Sequence, residues 1–381
     1  VREIETLAAL DAALASGSSL RGLRLQDLDL DERAAALLRR TDLDGLVVLG
    51  GHVPRTVEQH LRANGAVVFP TDPHAPVDPY RATLYAPDEL YAGLQDVGYA
   101  ATPDARAYRW SQDAAVAHDA FVTLLRAVHD DSISDALTDV LRDAPVVGVM
   151  GGHALRRDEE GYAHAVRLGR SLAEGGLVVA TGGGPGAMEA ANLGAFAADA
   201  ASLTTALDRL RAVPDVGTDI GEWAALALEV RASLAAGRAP GDRPRSIGIP
   251  TWFYGHEPPN VFCDGIAKYF SNAIREDGLL SRCTAGVVVL EGAAGTVQEV
   301  FQAATRLYYT APGQPLPHLV LVGRRHWTEA VPVWPALTAL AAGRPMARSI
   351  HLVDDAAEAA GLLTDRPGPP SRSRRPFPAS P

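Results

Sequence analysis

The chain has 381 residues, 47% of them hydrophobic and 21% charged, with a formal net charge of −11. That length suggests two domains with sizeable cores, and the acidic balance argues against broad nucleic-acid or anionic-membrane binding. No apolar run approaches the roughly 20 residues of a membrane span. Cys263 and Cys283 are the only cysteines, so neither a disulfide framework nor a zinc pattern is expected. The first residues, VREIETLAALDAALASG, carry acids and no hydrophobic signal core, so a cytoplasmic protein is expected.

Residues 1 to about 45 are rich in Leu, Ala, Arg and Asp, and 31–38 reads as a helix. Residues 46–51, LVVLGG, predict a strand ending in a glycine turn. A helix at 57–64, closed by Gly65, and a strand at 66–69 complete a small α/β unit. Its Gly50-Gly51-His52 matches a later Gly151-Gly152-His153, as a degenerate internal repeat would. Residues 70–110 are rich in Pro, Asp and Tyr. They predict a long ordered loop with one short helix, anchored by Tyr80, Leu84, Tyr85 and Leu90. Ala117, Phe121, Leu124, Leu125 and Val128 then recur at helical spacing. Asp130-Asp131-Ser132 is expected to break that helix before 133–141 continues it. The boundary between an N-terminal α/β domain, 1–135, and a second domain, 136–365, is expected here.

Residues 146–150, VVGVM, predict a buried strand. Gly151, Gly152 and His153 follow at its carboxyl end, where doubly wound sheets bind ligands. His153 is a candidate ligand contact or a histidine satisfied by backbone. Residues 162–174 are amphipathic, and 177–180 form another β-branched run. Thr181-Gly182-Gly183-Gly184-Pro185-Gly186 then strips side chains from a turn, and helix formers resume at Ala187. Three successive glycines exceed what a tight connection needs. Bare backbone admits an anion, and the first amides of a helix point at it with the dipole behind them. Gly183, Gly184 and Gly186 are therefore candidate phosphate contacts. Met188 is a candidate for packing against a base, with core packing the equal alternative. Helices at 203–213 and 223–235 read as an insertion, a lid or dimer element. After a short strand at 247–250 come Glu257-Pro258-Pro259-Asn260 and a helix at 270–280 carrying Arg275. Residues 287–290 are again an apolar strand, followed by the small-residue turn Gly292-Ala293-Ala294-Gly295 and a helix opening at Thr296. Two such turns in one sheet could grip one phosphorylated ligand from both sides, which adds Gly295 and Thr296 to the candidates. Strands at 319–322 and 350–353 and a Pro/Ser/Arg-rich tail, 366–381, read as disordered, close the chain.

The paired turns resemble the LOG (lonely guy) family, long mislabelled "lysine decarboxylase". That family carries G-G-G-x-x-G-x-M and P-G-G-x-G-T-x-x-E. Gly182 to Met188 fits the first with its last glycine one place early. Glu291 to Glu299 fits the second with Glu291 for Pro and Ala293 for Gly. Glu257-Pro258-Pro259-Asn260 resembles a segment of the larger bacterial pyrimidine/purine nucleotide 5′-monophosphate nucleosidases of the same superfamily. The resemblance covers about 146–322. It implies a Rossmann-like, doubly wound, mostly parallel α/β fold and a homodimer, and Asn260 joins Gly151, Gly152, His153 and Met188 as a candidate substrate contact.

The resemblance also implies that Arg275 and Glu299 carry the chemistry, as nucleotide N-glycosidic hydrolysis to free base and ribose 5-phosphate. A carboxylate stabilises an oxocarbenium-like transition state and activates water, and an arginine fork holds phosphate or hydroxyls. Residue types alone leave other roles open: Thr296-x-x-Glu299 is also a capping box, and Arg275 could be a solvated helix charge. Glu276 and Glu291 add negative charge beside the phosphate turns, and the degenerate second motif and the extra N-terminal domain favour the alternative of a non-catalytic nucleotide sensor. No cofactor and no metal are expected. The single lysine, Lys268, lies in a helix-like IAKYF run without a Schiff-base context. The GxGxxA match at Gly182-Gly184-Ala187 lacks the acid that binds a dinucleotide ribose.

Overall fold

The computed structural model describes residues 3–364 apart from positions 70, 73, 218, 240–242, 256 and 312. The tail expected to be disordered lies outside the described residues. Short β-branched runs form two sheets, and every pairing within them is parallel. The first has β1 (Glu3–Ile4), β2 (Arg24–Gln26), β3 (Val47–Leu49) and β4 (Val67–Phe69) in sequential order. Helices α1 (Leu7–Ala15) and α2 (Arg55–Ala63) accompany it. The leucines at 20, 23, 25, 28 and 30 are all buried in its core. Gly50 and Gly51 have φ of +60° and +70°, whereas Gly151 and Gly152 keep negative φ, so the two Gly-Gly-His sequences differ in backbone.

The second sheet contains β5 (Val146–Met150), β6 (Val178–Thr181), β7 (Ser246–Gly248), β8 (Gly265–Ile266), β9 (Gly286–Val289), β10 (His318–Val322) and β11 (Ile350–Val353). Its spatial order is β11-β10-β9-β5-β6-β7-β8. The chain runs outward from β5 to β8, returns to β9 on the other side of β5, and runs outward again. The strand order therefore reverses between β5 and β9, which pair in register from Val147↔Gly286 to Met150↔Val289. This is a Rossmann-like doubly wound fold, and its ligand crevice lies outside the carboxyl ends of those two strands.

Residues 70–140 depart from the expectation in two ways. The loop holds helix α3 (Pro103–Gln112) besides two four-residue turns of helix at Pro87–Leu90 and Leu94–Val97. Leu84, Tyr85 and Leu90 pack with the second sheet, whose edge Tyr85 extends by an antiparallel bridge to Ile266, whereas Tyr80 packs against Leu49 of β3 and Leu125. Helix α4 (Ala120–Val140) is also unbroken at Asp130-Asp131-Ser132. Asp130 is buried and accepts the amides of Phe270 and Ser271 at 2.9 and 2.8 Å. Its charge is thus satisfied by another segment and does not interrupt its own helix.

Lys268 is not helical. It follows β8, fully buried, with Nζ 2.6 Å from Asp104 Oδ1. Asp104 also accepts Trp252 Nε1 and the Tyr99 hydroxyl, both at 2.9 Å, so the pair clamps the 99–104 segment to the sheet edge. The segment read as an insertion forms helices α7 (Ala200–Leu210) and α8 (Ile220–Ala235). Arg157 binds Glu189 through a buried pair and donates to the carbonyls of Val213 and Trp223. That ties the insertion to the sheet's helical layer.

Candidate functional site

A cleft of about 940 Å³ opens at the reversal of strand order. Gly151, Gly152 and His153 leave β5 along one side of it, and the 291–296 turn leaves β9 along the other. Backbone bonds lock the two together: Leu290 N–H donates to Met150 O at 2.9 Å and Gly152 N–H to Glu291 O at 3.0 Å. Of the residues singled out from the sequence, Gly151, Gly152, His153, Met188, Arg275, Gly295, Thr296 and Glu299 all line this cleft.

The remaining four serve beneath it. Gly183, Gly184 and Gly186 are buried and do not line the cleft. Gly186 has φ +72°, and a Cβ there would lie 2.6 Å from the carbonyl oxygens of both Gly152 and His153, so only glycine lets the turn reach the β5 loop. The helix it opens, α6 (Ala187–Phe196), is buried along its whole length. Its first amide donates to Gly152 O at 3.1 Å, and Gly183 N–H to Thr181 Oγ1 at 2.9 Å. Two of the amides expected to cradle an anion are thus engaged internally. Asn260 is fully buried; its amides donate to Gly183 O (2.8 Å), Gly184 O (3.1 Å) and Asn192 Oδ1 (3.0 Å). Asn260 braces the glycine turn.

The second turn differs. Helix α9 (Asn272–Arg282) packs against α10 (Ala294–Tyr309), and α10 starts two residues earlier than expected. Its N-cap is Ala293, with no side-chain cap. Glu299 therefore sits beyond the first turn, and the capping box does not form. The first residues of α10 are exposed at the cleft, where open amides and the dipole favour an anion.

Without a capping role, Glu299 turns toward Arg275, with Oε1 3.6 Å from Nη1. Its side chain is 15% exposed. Burial, reinforced by the Glu276 and Glu257 charges and opposed by Arg275, pushes its pKa up to about 7. Arg275 is buried, and its Nε has no hydrogen-bond partner among the described residues; a guanidinium so placed lacks the acceptor it was desolvated for. Neighbouring Glu276 is held by Asn272 Nδ2 at 2.8 Å and Gln298 Nε2 at 2.6 Å. Asp130 fixes the start of this helix through the two amides described above.

Sequence reasoning gave no role to Glu257 or His326, both of which line the cleft. Glu257 was visible in the Glu-Pro-Pro-Asn segment; its Oε1 lies 3.5 Å from His153 Nδ1. His326 Nε2 sits 3.0 Å from Gly292 O, a contact between β9 and β10 loops that spacing does not reveal. Among the described residues, six carboxylates, Glu159, Glu257, Glu276, Glu291, Glu299 and Asp354, line the cleft with one arginine. Among the described residues no group of three His, Cys, Asp or Glu could hold a metal ion, and no helix is long and apolar enough to cross a membrane. No described residue of α7 or α8 lines the cleft. Both cysteines are buried; burial raises the Cys283 thiol to about 12 and the Cys263 thiol further, so neither is a nucleophile.

Residues 144–207, from β5 through most of α7, match the model of the SLOG cluster4 family. The match covers the first strand–turn–helix on which the LOG resemblance rests, within the seven-stranded Rossmann-like sheet. Among solved structures, the chain is similar to the Moco carrier protein from Chlamydomonas reinhardtii. Identity is 20%, 58% of this chain and 99% of that one are covered, and the TM-score is 0.34. No curated protein matches the chain.

Proposed function

We propose that the cleft binds a nucleoside 5′-monophosphate or a close phosphorylated relative and hydrolyses its N-glycosidic bond, releasing free base and ribose 5-phosphate. The observation that carries this reading is the Arg275–Glu299 pair at the strand-order reversal: a buried guanidinium with an unpartnered Nε beside a carboxylate poised near 7. The uncapped start of α10 and Arg275 supply donors for one phosphate group. Glu299, as carboxylate, takes a proton from water while C1′ develops positive charge, and its own charge stabilises that carbon. Positioned base catalysis of this kind contributes about 10²–10⁴-fold. Met188 and Leu290 offer an apolar surface for the base. The protein acts without a cofactor in this reading, in line with the family as a homodimer in the cytoplasm.

The test is product analysis. Purified protein is incubated with AMP, GMP, CMP, UMP and IMP, and base and ribose 5-phosphate are quantified by chromatography. Release that is lost in Glu299→Gln supports the reading. The six carboxylates around one arginine favour a second reading, a sensor that binds a nucleotide without turning it over. Bound nucleotide recovered intact after hours, with a thermal shift on binding, would establish the sensor and sink the hydrolase.

A further inference from the structure

The charge of the cleft is unusual for an ordinary nucleotide. A 5′-phosphate brings a charge of about −1.5 to −2 at neutral pH. Among the described residues it meets six carboxylates and one arginine. One part of the cleft answers a phosphate: buried Arg275, whose Nε has no hydrogen-bond partner among the described residues, and the uncapped start of α10. Some of the carboxylates have counter-charges of their own. Asp354 lies 3.5 Å from Arg324, Glu291 4.0 Å from His326 and Glu257 3.5 Å from His153. Glu159 stands at the N-cap of helix α5 (Glu160–Glu174), beside that helix's positive end. Glu276 differs. It is buried, and among the described residues its oxygens accept from neutral amides, Asn272 Nδ2 at 2.8 Å and Gln298 Nε2 at 2.6 Å. Its charge and that of Glu257 both reach Glu299, where C1′ is placed by the hydrolase reading. Met188 spans the same spot. A Cβ on Gly182 would lie 2.8 Å from Met188 Sδ and 3.7 Å from Arg275 Nη1, and one on Gly184 would lie 2.9 Å from Met188 Cε and 3.8 Å from Glu257 Oε2. The thioether offered to the base thus runs from the arginine toward a carboxylate.

We propose, resting on the hydrolase reading, that the substrate is a nucleoside 5′-monophosphate whose base carries a fixed positive charge, such as a pyridinium or an N-alkylated purine. Arg275 and the start of α10 take the phosphate, and the charged ring lies on Met188 with the carboxylates of Glu257 and Glu276 near it. The fixed charge brings the ligand to about −0.5 to −1. A cleft lined mainly by one sign of charge concentrates the opposite sign, and a methionine sulfur makes favourable contacts with aromatic rings. The same charge completes the reaction. An ordinary base leaves as a poor anion unless it is protonated, and the hydrolase reading gives Glu299 a proton to take but assigns no group to give one. With a cationic base the C1′–N bond breaks, its electron pair neutralises the ring, and the base departs uncharged with no proton added. The water oxygen bonds to C1′, and one water proton passes to Glu299 and then to solvent. The products are the neutral base, ribose 5-phosphate and that proton.

The experiment separates recognition of the charge from the greater reactivity of cationic bases. Binding is measured by calorimetric titration at pH 8 with two uncleavable probes. One is the carbocyclic analogue of nicotinamide mononucleotide, which keeps the pyridinium charge; the other is its dihydro form, which lacks it. Wild type is expected to bind the charged probe at least about tenfold tighter. Glu276→Gln and Glu257→Gln, each checked for a cooperative thermal transition, are expected to shrink that ratio by about threefold or more, through the charged probe and not the neutral one. Turnover is measured in parallel. Wild type should release nicotinamide from nicotinamide mononucleotide and 7-methylguanine from 7-methylguanosine 5′-monophosphate, with kcat/KM at least about tenfold above AMP and GMP. Equal or tighter binding of the uncharged probe by wild type overturns the assignment, whatever the variants do. So does a wild-type preference that persists undiminished in both folded variants. Hydrolysis of AMP or GMP with no preference for a cationic base leaves the hydrolase reading standing and refutes this assignment alone. Release of base from none of the nucleotides, charged or neutral, sinks the hydrolase reading and takes this assignment with it.

Discussion

Glu299→Gln should make the protein more stable while it abolishes turnover. Moving a buried carboxyl from 4.5 to about 7 means that its ionised form costs the folded state about 3 kcal/mol. The folded state holds the Glu299 proton more tightly than the unfolded chain. The associated stability is therefore complete below about pH 4.5 and lost as pH rises through about 7. Glutamine imitates the protonated form at every pH. The variant should match wild type near pH 4.5 and exceed it by up to about 3 kcal/mol at pH 8. With an unfolding entropy of about 2 cal/mol/K per residue, that is a rise in Tm of about 4 °C. The assay is calorimetry or thermal shift of both proteins across pH 4.5–8.5. A Tm difference that stays flat, or that grows toward acid, refutes the argument, because a desolvated carboxylate must show its cost only where it is ionised. Loss of activity with gain of stability is the pattern of a residue kept for chemistry.

Arg275→Met should weaken AMP binding by about 10–100-fold, the range of a lost charge-assisted hydrogen bond or two, as read by calorimetric titration. Asn260→Ala should lower stability by about 1–3 kcal/mol, since it orphans the buried Gly184 carbonyl; urea unfolding measures this. Lys268→Met should cost about 3–5 kcal/mol by leaving Asp104 buried and unpaired, and Asp104→Asn in the same chain should recover part of the loss.

The two strand–turn–helix units were legible because each combines a β-branched run, small residues without side chains and a resumption of helix formers. That combination placed Gly295, Thr296 and Glu299 on the right elements, while Arg275 came from the helical pattern of 270–280 and Gly151 and Gly152 from the end of the 146–150 strand. It could not separate the two turns from each other. The triple glycine serves close packing, as the contacts of Gly183 and Gly184 with Asn260 show, whereas the degenerate turn with Ala293 stays open. Glycine content reports freedom from side chains, not exposure. The capping-box reading failed for a related reason. Ala293 has no capping side chain, so α10 begins at a residue that no cap signature marks. The unbroken α4 and the pairing of Lys268 depend on partners 140 and 164 residues away, beyond any local pattern.

Glu276 follows Arg275 on α9, and its position defines what it does. It is buried, held by Asn272 and Gln298, and its charge helps keep Glu299 near 7 while Arg275 pulls the other way. If Glu299 works as a base, the rate must rise with pH through that value, tenfold per unit on the acid side. Glu276→Gln removes one of the two neighbouring negative charges and should move that limb toward lower pH, raising kcat/KM at pH 5.5. The exposed Glu291, whose side chain is 66% accessible, should leave the limb in place when replaced by Gln, because solvent screens it. A limb that moves with Glu291→Gln and not with Glu276→Gln would mean that net charge, not a buried neighbour, sets the protonation of the base. Glu276 would then be a bystander and not a device that tunes the site to neutral pH.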